Sequence, residues 1–349
     1  MINIPGIFKN RNSHCFIVAE LSANHNQDYN LAIESIKAAV KAGADAVKIQ
    51  TYTADTITID CNNKYFKIKQ GTLWDGKTLY ELYKEAYTPW EWQFDLKKVT
   101  EESGLIFFST PFDKSAVDFL EDLNVPIYKI ASFEISDIPL IKYIASKGKP
   151  VIISTGIAEL KDIEDAVNAC REAGNNDIAL LKCTSAYPAP IEEANLKTIP
   201  DLAERFGVIA GLSDHTLGSS SAIAAVALGA KIIEKHFILD RKLGGPDSSF
   251  SMEPHEFADM VKSIREVEKA VGEIKYDLSE KVKNNRIFAR SLFVVNDIKA
   301  GEIFTSENIR SIRPGYGLHP KYIYEIIGKR AKKDIKKGTP LNWELICYD

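Results

Sequence analysis

The sequence predicts a (β/α)8 barrel of the TIM type followed by a small β-rich domain, and three observations carry that prediction. Eight short apolar, β-branched runs alternate with segments of helical period. The runs are continuously apolar, as parallel strands covered on both faces are. After Gly272 the alternation stops, and short β-like pieces with turn signals take over. Eight strand-helix units in about 275 residues match such a barrel in number and size. A doubly wound open sheet is the alternative, but its glycine-rich GxGxxG turn is absent after the first strand.

The elements follow in order. "CFIVAE" (15–20) leads into "NLAIESIKAAVKAGA" (30–44), where Leu31, Ile33, Ile36, Ala39 and Val40 share a helical face and Gly43 closes the helix. "AVKIQTY" (46–52) is followed by residues 53–90, too long for a simple βα connection and therefore expected to shape the active face, before a helix at 91–103. "LIFFST" (105–110), "IYKIAS" (127–132) and "VIISTG" (151–156) precede helical segments 115–123, 137–147 and 160–173. "IALLKCT" (178–184), "VIAGLSD" (208–214) and "AKIIEKH" (230–236) precede 195–206, 219–229 and 254–272. The expected domains are a barrel over 1–275, a polar linker over 276–287 and a small domain over 288–349. That small domain holds "SLFVVNDI", "SIRPGYGL" and "AKKDI", with turns at Ala300-Gly301 and Lys337-Gly338.

Composition excludes several classes. With 349 residues, 45 % of them hydrophobic, the chain can bury a large core. No apolar run reaches the roughly 18 residues of a membrane span, and "MINIPGIFKN" lacks the apolar core of a signal peptide. A cytoplasmic protein without membrane contact is expected. Cys15, Cys61, Cys170, Cys183 and Cys347 are odd in number and show no CxxC spacing, so they read as reduced thiols. The net charge of −4 conceals an asymmetry, since residues 281–349 carry 14 Lys and Arg against 7 Asp and Glu. No recognition motif accompanies this basic tail, and no nucleic-acid partner is expected.

Nearly every expected strand ends in a polar residue, and in a barrel those ends face the site. His215 and His236 close neighbouring strands seven and eight, so both imidazoles approach one point. An oxygen-rich rim around two histidines suits Mn²⁺ or Mg²⁺ better than a zinc cage; the alternative is a pair of hydrogen-bonding histidines. Lys48 and Lys129, with the hydroxyls of Thr110, Ser132, Ser154, Ser185 and Ser213, form a candidate cradle for a phosphate or carboxylate, unless those hydroxyls only cap helices.

Eleven motifs in chain order then form a recognisable set: "AELSANHN", "GADAVKIQTY", "STPFD", "YKIASFE", "ISTG", "KCTSAYP", "GLSDHT", "EKHF", "GGPD", "FARSL" and "RPGYG". Together they resemble the sialic acid synthase family over almost the whole chain. The resemblance implies a barrel followed by an antifreeze-like (SAF) domain, in a domain-swapped homodimer that condenses phosphoenolpyruvate with an acetamido sugar aldehyde. It further implies His215 and His236 as ligands of Mn²⁺ or Mg²⁺. Lys48, Thr110, Lys129, Ser132, Ser154 and Ser213 match the phosphoenolpyruvate positions. Ser185 stands where the neuraminate branch has Asn, which makes that donor shorter. Glu20, Gln50, Tyr187 and Asp247 match the sugar side, and Arg313 would reach the sugar across the dimer. Glu134, two residues after Ser132, is the candidate for moving a proton, with pairing to Lys48 or Lys129 as its alternative role. Within the family, "AELSANHN", "TYTADT" (51–56) and residues 71–92 look most like the branch that uses 2,4-diacetamido-2,4,6-trideoxy-L-altrose; N-acetylneuraminate and legionaminate synthesis are the alternatives. Two other classes compete: a Schiff-base aldolase, because lysines at strand ends suit imine chemistry, and a non-catalytic carbohydrate- or ice-binding protein.

Overall fold

The structure, a computed structural model, describes residues 14–69, 71 and 74–347. The opening "MINIPGIFKN", and Thr72 and Leu73 of the long second connection, lie outside the described residues. The chain divides after Gly272 into two compact units.

In the first unit eight parallel strands close in sequence order. They are β1 Phe16–Glu20, β2 Ala46–Thr51, β3 Ile106–Pro111, β4 Tyr128–Ile130, β5 Val151–Ser154, β6 Ile178–Cys183, β7 Ile209–Asp214 and β8 Ile232–His236. Strand β1 pairs with β2 through Val18 and Ala46 and with β8 through Glu20 and His236, so the sheet is closed and the open-sheet alternative is excluded. The helices are α1 Tyr29–Lys41, α2 Ala54–Ile57, α3 Leu79–Ala86, α4 Trp90–Glu102, α5 Lys114–Asp122, α6 Ile138–Ala145, α7 Leu160–Glu172, α8 Thr198–Phe206, α9 Ser220–Ala227 and α10 Pro254–Val271. Local chemistry sets their starts: Asp28 accepts from the amides of Asn30 and Leu31 at α1, and Asp113 from those of Ser115 and Ala116 at α5. Each such cap is worth about 1 kcal/mol. At the other end of α1, Gly43 takes a φ of 85°, and a Cβ there would also stand 3.2 Å from Val261 Cγ1 of α10. Helix α8 begins three residues later than periodicity suggests; Asn195, just past the 3-10 turn Ile191–Glu193 and its cap Ala194, adopts a φ of 45°, outside the helical region. The long connection after β2 contains α2 and α3, each started by a capping box, Thr53 with Thr56 and Thr78 with Glu81.

The side-chain alternation of the strands decides where the site lies. Phe16, Val18, Ala46, Phe108, Ile127, Ile152, Ala179, Leu181, Ile209 and Ile232 pack together as one cluster inside the barrel. Residues of the other parity, among them Ile17, Val47, Phe107, Tyr128, Ile153, Leu180 and Ile233, join a larger cluster with the surrounding helices. Two residues beyond the inner apolar layer, seven of the eight strands turn polar inward: Glu20, Lys48, Thr110, Lys129, Ser154, Cys183 and Glu234 follow Val18, Ala46, Phe108, Ile127, Ile152, Leu181 and Ile232, while β7 has Gly211 after Ile209 and reaches Ser213 two residues later. The apolar plug forms the floor and the polar layer the base of a cup at the C-terminal end of the strands.

The second unit has one antiparallel pair, β9 Ser291–Val294 with β10 Ile309–Ile312, and isolated bridges at Phe293–Pro340, Ile298–Ile335, Ile303–Arg330 and Ala331–Ile346. Leu292, Val294, Phe304, Ile309, Ile326 and Leu341 belong to its own core. The segment expected as a polar linker includes the short helix α11 Glu280–Asn284, capped by Ser279 and followed by a 3-10 turn to Phe288. No helix among the described residues is long and apolar enough to cross a membrane.

Candidate active site

The base of the cup holds four buried charges. Lys48 pairs with Glu20 and stands 3.7 Å from Glu234, whose carboxylate lies 3.9 Å from Lys129. Burial opposes charge on Lys48, yet Glu20 and Glu234 raise its pKa and hold it as an ammonium. Burial lowers Lys129, and it pushes Glu20 up to about 7 against the pull of Lys48. Glu234 feels burial too, but Lys129, Lys48 and His215 bring it below the usual carboxylate range. Glu234 had no role in the sequence reading. The signal that finds it is parity, since it lies two residues after the inward-facing Ile232.

Hydroxyls surround the ammonium groups. Lys48 donates to Thr110 Oγ1 at 3.1 Å and Lys129 to Ser154 Oγ at 2.6 Å. A hydroxyl that accepts from an ammonium turns its own proton elsewhere, so Thr110 and Ser154 can still donate to an anion. Ser132 Oγ accepts from the Gly156 amide at 2.9 Å, and Ser213 donates to Glu234 at 3.3 Å. Half-buried Ser185 stands 3.9 Å from Cys183 Sγ. Ser132, Ser185 and Cys183 close on Gly156, where a Cβ would overlap Ser185 Oγ and lie 2.6 Å from Ser132 Oγ and 3.0 Å from Cys183 Sγ. A larger residue there would push these side chains out of place.

The two histidine rings stand 5.4 Å apart between centroids. His215 Nδ1 lies 3.0 Å from the Thr184 carbonyl and so carries its proton there, which leaves the Nε2 lone pair free. His236 Nδ1 is buried with no hydrogen-bond partner and has the Asp247 carboxylate 3.8 Å away. Burial, together with His215, Lys48 and Lys235, holds His236 well below its ordinary pKa, as a neutral imidazole. His215 is different: burial opposes its charge, but Cys183, the Thr184 carbonyl and Glu234 raise its pKa. A neutral His236 with an orphaned nitrogen beside the Nε2 of His215 fits a divalent cation as a two-residue site, with the cation displacing any proton from His215. No group of three or more His, Cys, Asp or Glu among the described residues is arranged to hold a metal, so the remaining positions would go to water or substrate. Cys183, also unassigned from sequence, stands 3.7 Å from His215 Nδ1. Burial alone would raise its thiol, but His215, Ser132 and Lys129 bring it down to about 7.

The walls complete the cup. Gln50 donates to Ser22 Oγ at 2.9 Å, beside Glu20. The Tyr187 ring lies 4.4 Å from that of His215, and Phe250 packs 4.9 Å from His236. Burial raises the Asp247 carboxyl. Glu134 ends a 3-10 turn that begins at Ser132; its Oε2 is buried without a partner, and burial pushes it up to about 7 against the pull of Lys129. Fourteen of the fifteen residues singled out from the sequence therefore lie in the first unit. Arg313 belongs to the second and is exposed there.

Comparison with known proteins agrees with this architecture. The SAF domain pattern matches residues 289–346. A pseudaminic acid synthase from Helicobacter pylori is 51 % identical over 327 residues, covering 93 % of this chain and 96 % of its own. One from Campylobacter jejuni is 49 % identical over 332 residues, covering 95 % and 96 %. The crystal structure of an N-acetylneuraminic acid (sialic acid) synthetase from Leptospira borgpetersenii superposes with a TM-score of 0.70 at 34 % identity, over 78 % of this chain and 90 % of that one. The NeuB family pattern matches residues 35–276, and the chain belongs to the NeuB family.

Proposed function

We propose that the chain is a pseudaminic acid synthase, a transferase-type enzyme that joins phosphoenolpyruvate to 2,4-diacetamido-2,4,6-trideoxy-L-altrose and water, giving pseudaminic acid and phosphate by C–O cleavage. The observation that carries this reading is the buried cup itself: two lysines with hydroxyls free to donate, together with the adjacent histidine pair His215 and His236. The identity of about half to two pseudaminic acid synthases supports the choice of sugar.

Lys48 and Lys129 neutralise the phosphate and carboxylate of phosphoenolpyruvate, and Thr110, Ser132, Ser154, Ser185 and Ser213 orient them. Glu20, Gln50, Tyr187 and Asp247 face the sugar. The C3 carbon of phosphoenolpyruvate forms a bond to the aldehyde carbon, water adds at C2, and the tetrahedral intermediate expels phosphate. Glu134, a carboxyl with its pKa near 7, supplies a proton during these steps. Mn²⁺ or Mg²⁺ held by His215 and His236 would polarise the aldehyde oxygen and orient the water. Residues 1–275 form the catalytic domain in this reading, joined by 276–287 to the antifreeze-like domain 288–349. In a domain-swapped homodimer that domain brings Arg313 to the partner's sugar. Phosphoenolpyruvate as substrate implies a cytoplasmic enzyme.

The test is phosphate release from phosphoenolpyruvate with Mn²⁺, offering the altrose derivative, N-acetylmannosamine and a legionaminic acid precursor in parallel, with a chelator control. Release with the altrose derivative alone, abolished by chelation, is expected. Preference for another sugar would overturn the substrate assignment. Release that survives chelation, with an adduct trapped by borohydride on Lys48 or Lys129, would replace the metal reading with an imine mechanism.

A further inference from the structure

One cavity at the mouth of the first unit has no task in that mechanism. The indole N–H of Trp74, from the long connection after β2, donates to the Pro246 carbonyl at 3.3 Å across 172 positions of sequence. The Trp74 ring packs on Tyr187 with centroids 5.9 Å apart, and Tyr187 in turn covers His215. Trp74 and Pro246 both line a cavity of about 420 Å³, with Lys77 and Glu85 on the side of the connection and Ser248 and Ser249 on the side of the loop after β8. Two chains of contact therefore link the histidine pair to the wall of this space: through Tyr187 to Trp74, and through Asp247, 3.8 Å from His236, to its neighbour Pro246.

We infer that this cavity takes the far end of the sugar, its 4-acetamido and 6-methyl substituents, and that Trp74 is the residue that selects them. The inference rests on the proposed condensation. With the aldehyde carbon at the histidines, C4 to C6 of the open chain must run outward to the mouth, where an indole face offers apolar surface to a methyl and to the flat face of an amide. The polar side chains around it are Ser248, Ser249, Lys77 and Glu85. Ser248 Oγ donates to the Gly245 carbonyl at 3.0 Å and keeps acceptor capacity, Ser249 is exposed, and the Lys77–Glu85 ion pair closes the outer side. A cavity with an aromatic wall and a few polar groups is the ordinary form of a small-molecule subsite. A sugar with hydroxyls in place of the methyl and amide would set them against the indole face, and discrimination against an added hydroxyl by an apolar wall reaches about 100-fold.

The test is steady-state kinetics of the full-length enzyme with Mn²⁺, varying the altrose derivative and phosphoenolpyruvate separately. Trp74→Ala, which removes the wall, and Ser249→Phe, which fills the cavity from an exposed position, should each raise the sugar KM about tenfold or more. Trp74→Phe keeps a ring without the N–H and should recover most of that loss. An unchanged KM for phosphoenolpyruvate marks an intact cradle in each variant. A sugar KM within twofold of wild type in both Trp74→Ala and Ser249→Phe would overturn the inference alone, because the wild type still turns the sugar over. A wild type inactive toward this sugar would overturn the proposed function as well.

Discussion

Asp214 and Lys235 face each other across β7 and β8, with Lys235 Nζ 2.6 Å from Asp214 Oδ2 and both side chains 1 % exposed. Each precedes one of the two histidines, and by parity each points away from the cup, under the helices. The same ammonium donates to the Thr216 carbonyl at 2.6 Å, and Asp214 Oδ1 accepts from the Thr216 amide and hydroxyl. One ion pair thus ties the ends of both histidine-bearing strands from behind. Removing one partner strands a buried charge, so Asp214→Asn or Lys235→Met should cost about 3–5 kcal/mol in urea unfolding. The double variant Asp214→Leu with Lys235→Met should recover most of that stability. It should still bind Mn²⁺ about 10–100-fold more weakly by electron paramagnetic resonance titration, the range seen when outer support of a metal ligand is lost. Wild-type affinity in the stable double variant would show that the pair serves the fold alone.

Gly156 predicts a loss confined to phosphoenolpyruvate. A Cβ there overlaps Ser185 Oγ and presses on Ser132 Oγ and Cys183 Sγ, so the hydroxyls must turn out of the cradle. Gly156→Ala should raise the phosphoenolpyruvate KM about tenfold or more, the loss of one or two charge-assisted hydrogen bonds, with a melting temperature near wild type. An unchanged KM would mean that Ser132 and Ser185 do not hold the anion.

Much of this arrangement is legible in the sequence, for identifiable reasons. Strand-helix alternation fixes the order of the barrel, and barrel geometry sends strand ends such as Lys48, Thr110 and His236 to one rim. What periodicity does not supply is phase, because strands covered on both faces are apolar throughout. Glu234 and Lys235 are adjacent polar residues in one apolar run, and nothing local says that the first enters the cup while the second pairs with Asp214 outside it. Anchoring parity on Ile232 resolves them. Cys183 escaped for another reason: a buried thiol reads as an apolar residue until His215, 32 positions away, is placed beside it. Trp74 meets Pro246 and Tyr187 only through the closed mouth of the barrel, a contact without any local signature.

Glu134 predicts a pH dependence with a defined sign. Its carboxyl is raised from 4.5 to about 7 by burial, so below pH 7 it is a proton donor and above it a carboxylate. If it donates in the slow step, kcat/KM falls as pH rises through about 7, and Glu134→Gln lowers the rate and removes that limb. The same shift acts on stability. The folded chain binds this proton more tightly than the unfolded one, so its contribution is complete below about pH 4.5 and is lost as pH rises toward 7. Glu134→Gln should therefore melt above wild type at pH 8 and show no such gain at pH 4. Near-normal turnover in Glu134→Gln, with substrate and metal binding unchanged, would leave the residue a structural role only.

The proposed domain swap makes a prediction that a self-contained subunit does not. Arg313 is exposed on the second unit. If it serves the partner's site, then Arg313→Ala has a sound cup with no arginine supplied by a second copy of itself, and His236→Ala has a sound arginine with a failed cup. Each variant alone should be nearly inactive. When the two are unfolded together and refolded as a mixture, random pairing makes half the dimers hybrid, and each hybrid has one complete site. Phosphate release should therefore return to about a quarter of the wild-type level per chain. If Arg313 instead acts within its own chain, each polypeptide in the hybrid keeps its own defect, and mixing restores nothing. Removal of residues 285–349 should abolish turnover in the swapped arrangement, and substantial activity in that truncated barrel would overturn any catalytic part for Arg313.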